Sequence, residues 1–162
     1  MKRKAMIAIL LTITVLWIFF IFSNSADSGV ESSSKSKAVQ EFINETIEKL
    51  GGEGNVTEHF VRKAAHFVEF AVLGVLITLD MLALTWIPFP IFDTHYLLRF
   101  LVPFIISFIT AATDEALQNF SEGRGPSFKD VLIDSSGALT GILLLIALLL
   151  IISLKKKGSK PN

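Results

Sequence analysis

The chain has 162 residues, of which 51% are hydrophobic, and a mean hydropathy of +0.58. It contains no cysteine, which excludes a disulfide framework, a thiolate metal site and a cysteine nucleophile. The formal net charge is zero, but the charged residues are confined to a few stretches and apolar runs fill the rest, which excludes a sizeable soluble domain.

Four long and nearly uncharged stretches predict four membrane-spanning helices, because about 20 apolar residues are needed to cross the hydrocarbon core. The predicted spans are approximately residues 5–22, 61–84, 99–118 and 131–154. We therefore predict an all-α integral membrane protein with a single membrane domain, residues 1–154, followed by a basic tail, residues 155–162.

The first span also resembles a signal peptide, because a basic start precedes its apolar run. However, the run is longer than the usual apolar core of a signal peptide, about 7–15 residues. It also ends in the bulky residues 17–22, with no small residue three positions before its end. We therefore favour an uncleaved first span.

Residues 23–60, between the first two spans, are too polar to cross a membrane. Residues 23–36 are rich in serine and predict a loop. Residues 37–50 carry apolar side chains at helical spacing, which predicts an amphipathic helix on the membrane surface or folded over the bundle. The glycines that follow it predict the end of that helix.

Charge is distributed unevenly between the two sides of the membrane. Four spans place both termini on one side, which carries eight Lys and Arg residues against two Asp and Glu; the other side carries seven against thirteen. The positive-inside rule therefore predicts cytoplasmic termini and an extracytoplasmic segment 23–60. Asp80 is expected at the inner interface. The basic residues set topology at the membrane edge and give no support to nucleic-acid binding.

Ionisable residues lie inside the ends of the third and fourth spans. Asp114 and Glu115 precede the Gly-Arg-Gly-Pro break at residues 123–126, and Asp130 and Asp134 follow it. A charged group at the bilayer centre costs about 2.5–3.5 kcal/mol on insertion scales, so an ionisable residue at membrane depth indicates a functional site.

Helical spacing aligns polar residues on the second and third spans. Arg62, His66 and Glu69 follow the i, i+4, i+7 pattern and share a helix face. Asp114 and Gln118 are also four residues apart. Because lipid cannot satisfy these groups, the two faces are expected to turn inward and meet.

The fourth span presents Asp130 and Asp134 on one face with Gly137 and Gly141, whose small size lets another helix approach closely. We therefore predict a polar pocket that opens to the outside. The predicted ligand-binding residues are Arg62, His66, Glu69, Asp114, Glu115, Gln118, Arg124, Asp130 and Asp134.

We consider three functions for this protein. The leading hypothesis is that the pocket binds a lipid-linked or amphiphilic anionic ligand. Arg62 and Arg124 of the pocket would hold a phosphate or carboxylate group of that ligand. The second is a membrane hydrolase or transferase that uses His66, Asp114 and Glu115 with a metal ion on a lipid-linked phosphate. The third is a small scaffold whose amphipathic helix recruits a partner. No residue spacing identifies a resident metal site or a cofactor.

Structural interpretations stand beside these hypotheses. Arg62 and Lys63 also fit the snorkelling end of a helix. Asp130 fits a favourable charge at a helix N-terminus. The whole set also fits a buried ion-pair network that fixes the register of the helices.

The same residues resemble the VanZ-like family, in order and spacing, from Phe22 to Gly141. The matching fragments are Phe22-Ser23, residues 61–70 (VRKAAHFVEF), Asp114-Glu115 with Gln118 and Phe120, Gly123-Arg124, and Asp130-Val131 with Ile133-Asp134 and Gly137. Each fragment is weak alone, and together they are fairly specific.

The resemblance implies a multi-pass protein of the bacterial plasma membrane. The founding VanZ protein of the family is associated with resistance to the lipoglycopeptide teicoplanin. A role in glycopeptide resistance, with membrane lipid and a lipid-linked cell-wall precursor or a lipoglycopeptide as partners, is thus an expectation for this chain. The polar signature of the family falls on Arg62, His66, Glu69, Asp114, Glu115, Gln118, Arg124 and Asp130.

Overall fold

The computed structural model describes residues 2–85, 96–121, 125 and 127–158, and these contain five α-helices and no strand. The helices are α1 (Lys2–Ser25), α2 (Gly29–Lys49), α3 (Glu58–Thr85), α4 (Tyr96–Gln118) and α5 (Phe128–Gly158). Four are long and apolar enough to cross a membrane, over Arg3–Ser25, Glu58–Leu84, Phe100–Gln118 and Phe128–Lys156. The predicted all-α membrane fold is confirmed.

Helix α3 lies at the centre of the bundle, where it contacts α1, α2, α4 and α5. Its closest neighbour is α5, and glycine makes that approach possible. A Cβ atom added at Gly74, Gly137 or Gly141 would lie 2.3, 2.2 or 2.0 Å from a backbone oxygen of the facing helix. No side chain fits at these distances, so the two backbones touch directly. This confirms the prediction that Gly137 and Gly141 admit a neighbouring helix.

The buried apolar core joins α1, α3, α4 and α5 through Ile21, Phe70, Leu73, Ala111 and Ala138. In contrast, large apolar side chains are exposed on the outer faces of the helices, among them Phe19 and Leu144. This distribution fits helices that are surrounded by lipid, because lipid solvates an apolar side chain as well as a protein core does.

The serine-rich segment is helical, so the predicted loop at residues 23–36 is wrong. Helix α1 continues to Ser25, and α2 begins three residues after Ala26. The hydroxyl of Ser28 caps α2 by accepting a hydrogen bond from the Glu31 amide at 3.2 Å. A serine-rich composition is typical of exposed loops. Here Ser32 and Ser36 are buried, and their small size permits close packing of α2.

The predicted amphipathic helix at residues 37–50 is the second half of α2, and the chain leaves it through Gly51 at a φ of 85°. Its polar side chains hold the helix against the residues before α3. Gln40 and Asn44 each donate a hydrogen bond to the backbone oxygen of Val56 at 3.0 Å. Val39, Phe42 and Leu50 remain exposed.

Two residues near the other end of the bundle are buried. Asp80 is buried, and Thr14 of α1 donates a hydrogen bond to its carboxylate at 2.6 Å; its place at the inner interface stays a prediction. Pro103 lies buried inside α4, which begins at Tyr96, and the apolar span of that helix, Phe100–Gln118, agrees with the predicted third span. Most of the segment 85–98, between the predicted second and third spans, lies outside the described residues, and the limits of the membrane domain stay a prediction.

The contact between α3 and α5 predicts a strong effect of Gly141→Ala. Because the added methyl group would meet the backbone oxygen of Ala71, the helices must separate, and overpacking of this kind costs about 1–3 kcal/mol. We expect a lower melting temperature of the purified protein in detergent. Gly125→Ala, which adds a methyl group in open space, is the matched control. Equal melting temperatures for the two variants would contradict the direct backbone contact.

Candidate functional site

One histidine and two aspartates from three different helices meet inside one end of the bundle. His66 of α3 lies with its Nδ1 atom 4.0 Å from the Oδ2 atom of Asp114 on α4 and 4.0 Å from the Oδ1 atom of Asp134 on α5. Asp114 and Asp134 are 0% and 1% exposed, and His66 is largely buried. We call these three residues the His–Asp–Asp cluster.

The packing of α3 against α5 explains why His66 and Asp134 meet. Gly137 rests on the backbone oxygen of Phe67, so this part of α5 is pressed against the turn of α3 that carries His66. Asp134 precedes Gly137 by three residues and therefore lies on the same face of α5, about one turn away. The glycine contact thus sets the position of the aspartate.

Asp114 is held from two sides by hydrogen bonds to its Oδ2 atom. Ser25, at the last residue of α1, donates from its hydroxyl at 2.7 Å, and Gln118, one turn along α4, donates from its amide at 3.3 Å. Ser25 is itself buried, and Ser121 donates to its backbone oxygen at 3.3 Å. Four helices therefore contribute to the surroundings of the cluster.

Glu69 belongs to a separate polar contact between α3 and α1. Its Oε1 atom accepts a hydrogen bond from Asn24 at 2.9 Å, and its backbone oxygen accepts one from the Trp17 indole at 2.9 Å. Glu69 therefore faces the end of α1.

Glu115 and Asp130 are engaged at the entrance to α5. Glu115 is buried and accepts a hydrogen bond from the backbone amide of Ser127, which ties α4 to the start of α5. Asp130 forms an ion pair with Lys63 of α3. These contacts give both carboxylates a structural role in joining neighbouring helices.

A cavity of about 800 Å³ opens beside the His–Asp–Asp cluster. Helices α2, α3 and α5 form most of its walls. Its lining residues are Ser28, Gly29, Val30, Ser33, Arg62, Lys63, His66, Gln118, Gly125, Asp130 and Asp134. The cavity therefore presents two basic side chains on one part of its wall and the acidic cluster on another.

The predicted ligand-binding residues separate into four groups. Five line the cavity: Arg62, His66, Gln118, Asp130 and Asp134. Asp114 lies behind the lining, in contact with His66 and Gln118. Glu69 and Glu115 are not among the lining residues. Arg124 lies outside the described residues.

The contribution of α2 to the cavity does not follow from the serine-rich composition of residues 23–36, which predicts a loop. A signal for this helix was present. Ser28 is followed three residues later by Glu31, which is the spacing of a capping box at a helix N-terminus. That pattern predicts a helix start at the position where Gly29, Val30 and Ser33 line the cavity.

The arrangement has two chemical capacities. Arginine and lysine on the wall can hold an anionic group of a ligand. An imidazole and two carboxylates, with ligand atoms within 4.8 Å of one another, can hold a cation between them.

A family model described as VanZ/LLP1 matches residues 10–151, nearly the whole chain. No curated protein and no solved structure matches the chain. The matched residues include the His–Asp–Asp cluster and every described residue that lines the cavity. The resemblance drawn from the sequence motifs is confirmed, and this chain belongs to the VanZ/LLP1 family.

Proposed function

We propose that this protein is a multi-pass cell-envelope protein that binds an amphiphilic or lipid-linked anionic ligand in the cavity beside the His–Asp–Asp cluster. The observation that carries the proposal is the presence of Arg62 and Lys63 in the wall of a cavity of about 800 Å³. A cavity of this volume lies within the range of small-molecule binding sites, about 300–1,000 Å³.

Arg62 is the better placed of the two cations to hold an anion. Its ion pair with Glu58 is long, at 3.8 Å, and its side chain is 32% exposed. Lys63 is already paired with Asp130. A guanidinium group also presents several donors in a planar fork that matches a phosphate or a carboxylate. Arg62 is therefore the main anchor in this proposal.

The surroundings of the cavity favour a ligand with an apolar part. Val30 lines the cavity and is 82% exposed, and Phe42, further along α2, is 70% exposed. An amphipathic helix with such side chains fits the boundary between headgroups and acyl chains. A lipid-linked cell-wall precursor and a lipoglycopeptide both join an anionic group to a lipid chain. Teicoplanin resistance is the phenotype that the family suggests.

We further propose that the cavity faces the outside of the plasma membrane and that both termini are cytoplasmic. The charge asymmetry supports this orientation, because eight Lys and Arg residues lie on the side of the termini against two Asp and Glu. The cavity lies at the opposite ends of the four apolar helices.

The two alternative functions receive less support from the geometry. A hydrolase that uses His66, Asp114 and Glu115 needs these groups around one ligand, but Glu115 is occupied by the Ser127 amide and does not line the cavity. A scaffold that recruits a partner through α2 would use Val39, Phe42 and Leu50, and these also fit contact with lipid.

Replacement of Arg62 by alanine is expected to weaken ligand binding. Removal of a charged hydrogen bond costs about 1.5–3 kcal/mol, so the dissociation constant rises by about tenfold or more. The measurement uses the purified protein and a fluorescent lipid pyrophosphate, together with the teicoplanin susceptibility of cells. The matched control is Lys35→Ala, which removes an exposed positive charge of α2 that is paired with Asp27. Wild-type affinity and susceptibility in a stably expressed Arg62→Ala protein would refute the proposal.

The natural chain contains no cysteine, so the orientation can be tested by introducing single cysteines into it. We expect a membrane-impermeant maleimide to label Ser34→Cys, on the exposed surface of α2, in intact cells. Lys156→Cys, exposed near the end of α5, is expected to react only after the cells are opened. The opposite pattern would show that the cavity faces the cytoplasm.

A further inference from the structure

We infer that the His–Asp–Asp cluster is a binding site for a divalent transition-metal ion, of the class of Zn²⁺ or Mn²⁺. This inference is independent of anion binding by Arg62. It names a ligand set that sequence spacing did not indicate, because its three members come from α3, α4 and α5.

The donor atoms fit such an ion in kind and in distance. One imidazole nitrogen and two carboxylates are common ligands of Zn²⁺ and Mn²⁺. The His66 Nδ1 atom lies 4.0 Å from an oxygen of each aspartate, and the three donor atoms lie within 4.8 Å of one another. Metal–ligand bonds of about 2.0–2.2 Å place neighbouring donor atoms about 3.0–3.4 Å apart. The three side chains therefore need to move about 1 Å closer together to bind the ion.

Asp134 supplies the independent observation that points to a missing partner. It is 1% exposed, and its Oδ2 atom is buried and accepts no hydrogen bond in the described part of the chain. Among the described residues its one contact of salt-bridge length is with the Nδ1 atom of His66, at 4.0 Å, and this contact is an ion pair only when His66 is protonated. An ionised carboxylate in this state is costly unless a cation comes closer than His66 does.

The second layer of contacts resembles that of a built metal site. Ligating carboxylates are usually oriented by hydrogen bonds from neighbouring residues. The Oδ2 atom of Asp114 receives such bonds from Ser25 at 2.7 Å and from Gln118 at 3.3 Å. His66 and Asp134 line the cavity, which gives an ion a route of entry.

The test is metal binding by the full, tag-free protein in detergent, without any anionic probe. After treatment with a chelator, Zn²⁺ or Mn²⁺ is added back and measured by calorimetry and elemental analysis. We expect one ion per chain. Asp134→Asn and His66→Gln are expected to weaken binding by more than about tenfold, the lower end of the loss seen even for outer-shell changes. Asp80→Asn, which changes a buried carboxylate at the other end of α3, is the matched control and is expected to keep wild-type affinity.

A second measurement covers the case in which the variants fail to fold. Pulsed electron paramagnetic resonance of bound Mn²⁺ is expected to show coupling to a histidine nitrogen. The chain has two further histidines, His59 and His95, so the measurement uses His59→Gln/His95→Gln protein, in which the coupling would come from His66. Absence of stoichiometric binding in the folded wild-type protein, or of nitrogen coupling, would overturn the inference. Wild-type affinity in a folded Asp134→Asn protein would also overturn it. Because no anionic probe is present, a failure of the proposed anion binding would leave these results unaffected.

Discussion

The absence of hydrogen-bonding partners in lipid is the constraint on which the rest of this structure depends. Ionisable side chains on membrane-spanning helices must find partners inside the protein, because hydrocarbon offers none. His66, Asp114 and Asp134 meet for this reason, and Ser25 and Gln118 donate hydrogen bonds to Asp114. The polar residues therefore hold α1, α3, α4 and α5 together at one end of the bundle.

The other half of the arrangement is the direct contact between the backbones of α3 and α5. Lipid gives little driving force for helix association, so close packing of small residues must supply it. Gly137 and Gly141 provide that packing, and the same contact carries Asp134 to His66. The glycine contact that packs α5 against α3 thus also sets the position of Asp134. A cavity forms beside this contact because α2 covers the open side with polar and small residues.

The sequence predicted the four apolar helices to within a few residues, because hydropathy over a long stretch depends little on tertiary context. Spacing also placed the polar residues of α3, α4 and α5 at one level. It did not distinguish which neighbour each residue meets. His66 and Glu69 are three residues apart, which is about 60° around the helix axis. Because α3 is central, this angle is enough for His66 to face α4 and α5 while Glu69 faces α1. Burial, rather than composition, decided that the serines of α2 form a helix.

The most direct test of the central claim is a double-mutant cycle on the free energy of unfolding in metal-free detergent. The cycle combines His66→Ala with Asp134→Ala, which lie on different helices and 68 positions apart. Contacting residues in one network show a coupling free energy of about 0.5–3 kcal/mol, and independent sites add within about 0.5 kcal/mol. The account predicts a coupling of about 1 kcal/mol or more. Additive effects of the two substitutions would contradict it, since the two side chains would then not meet inside the bundle.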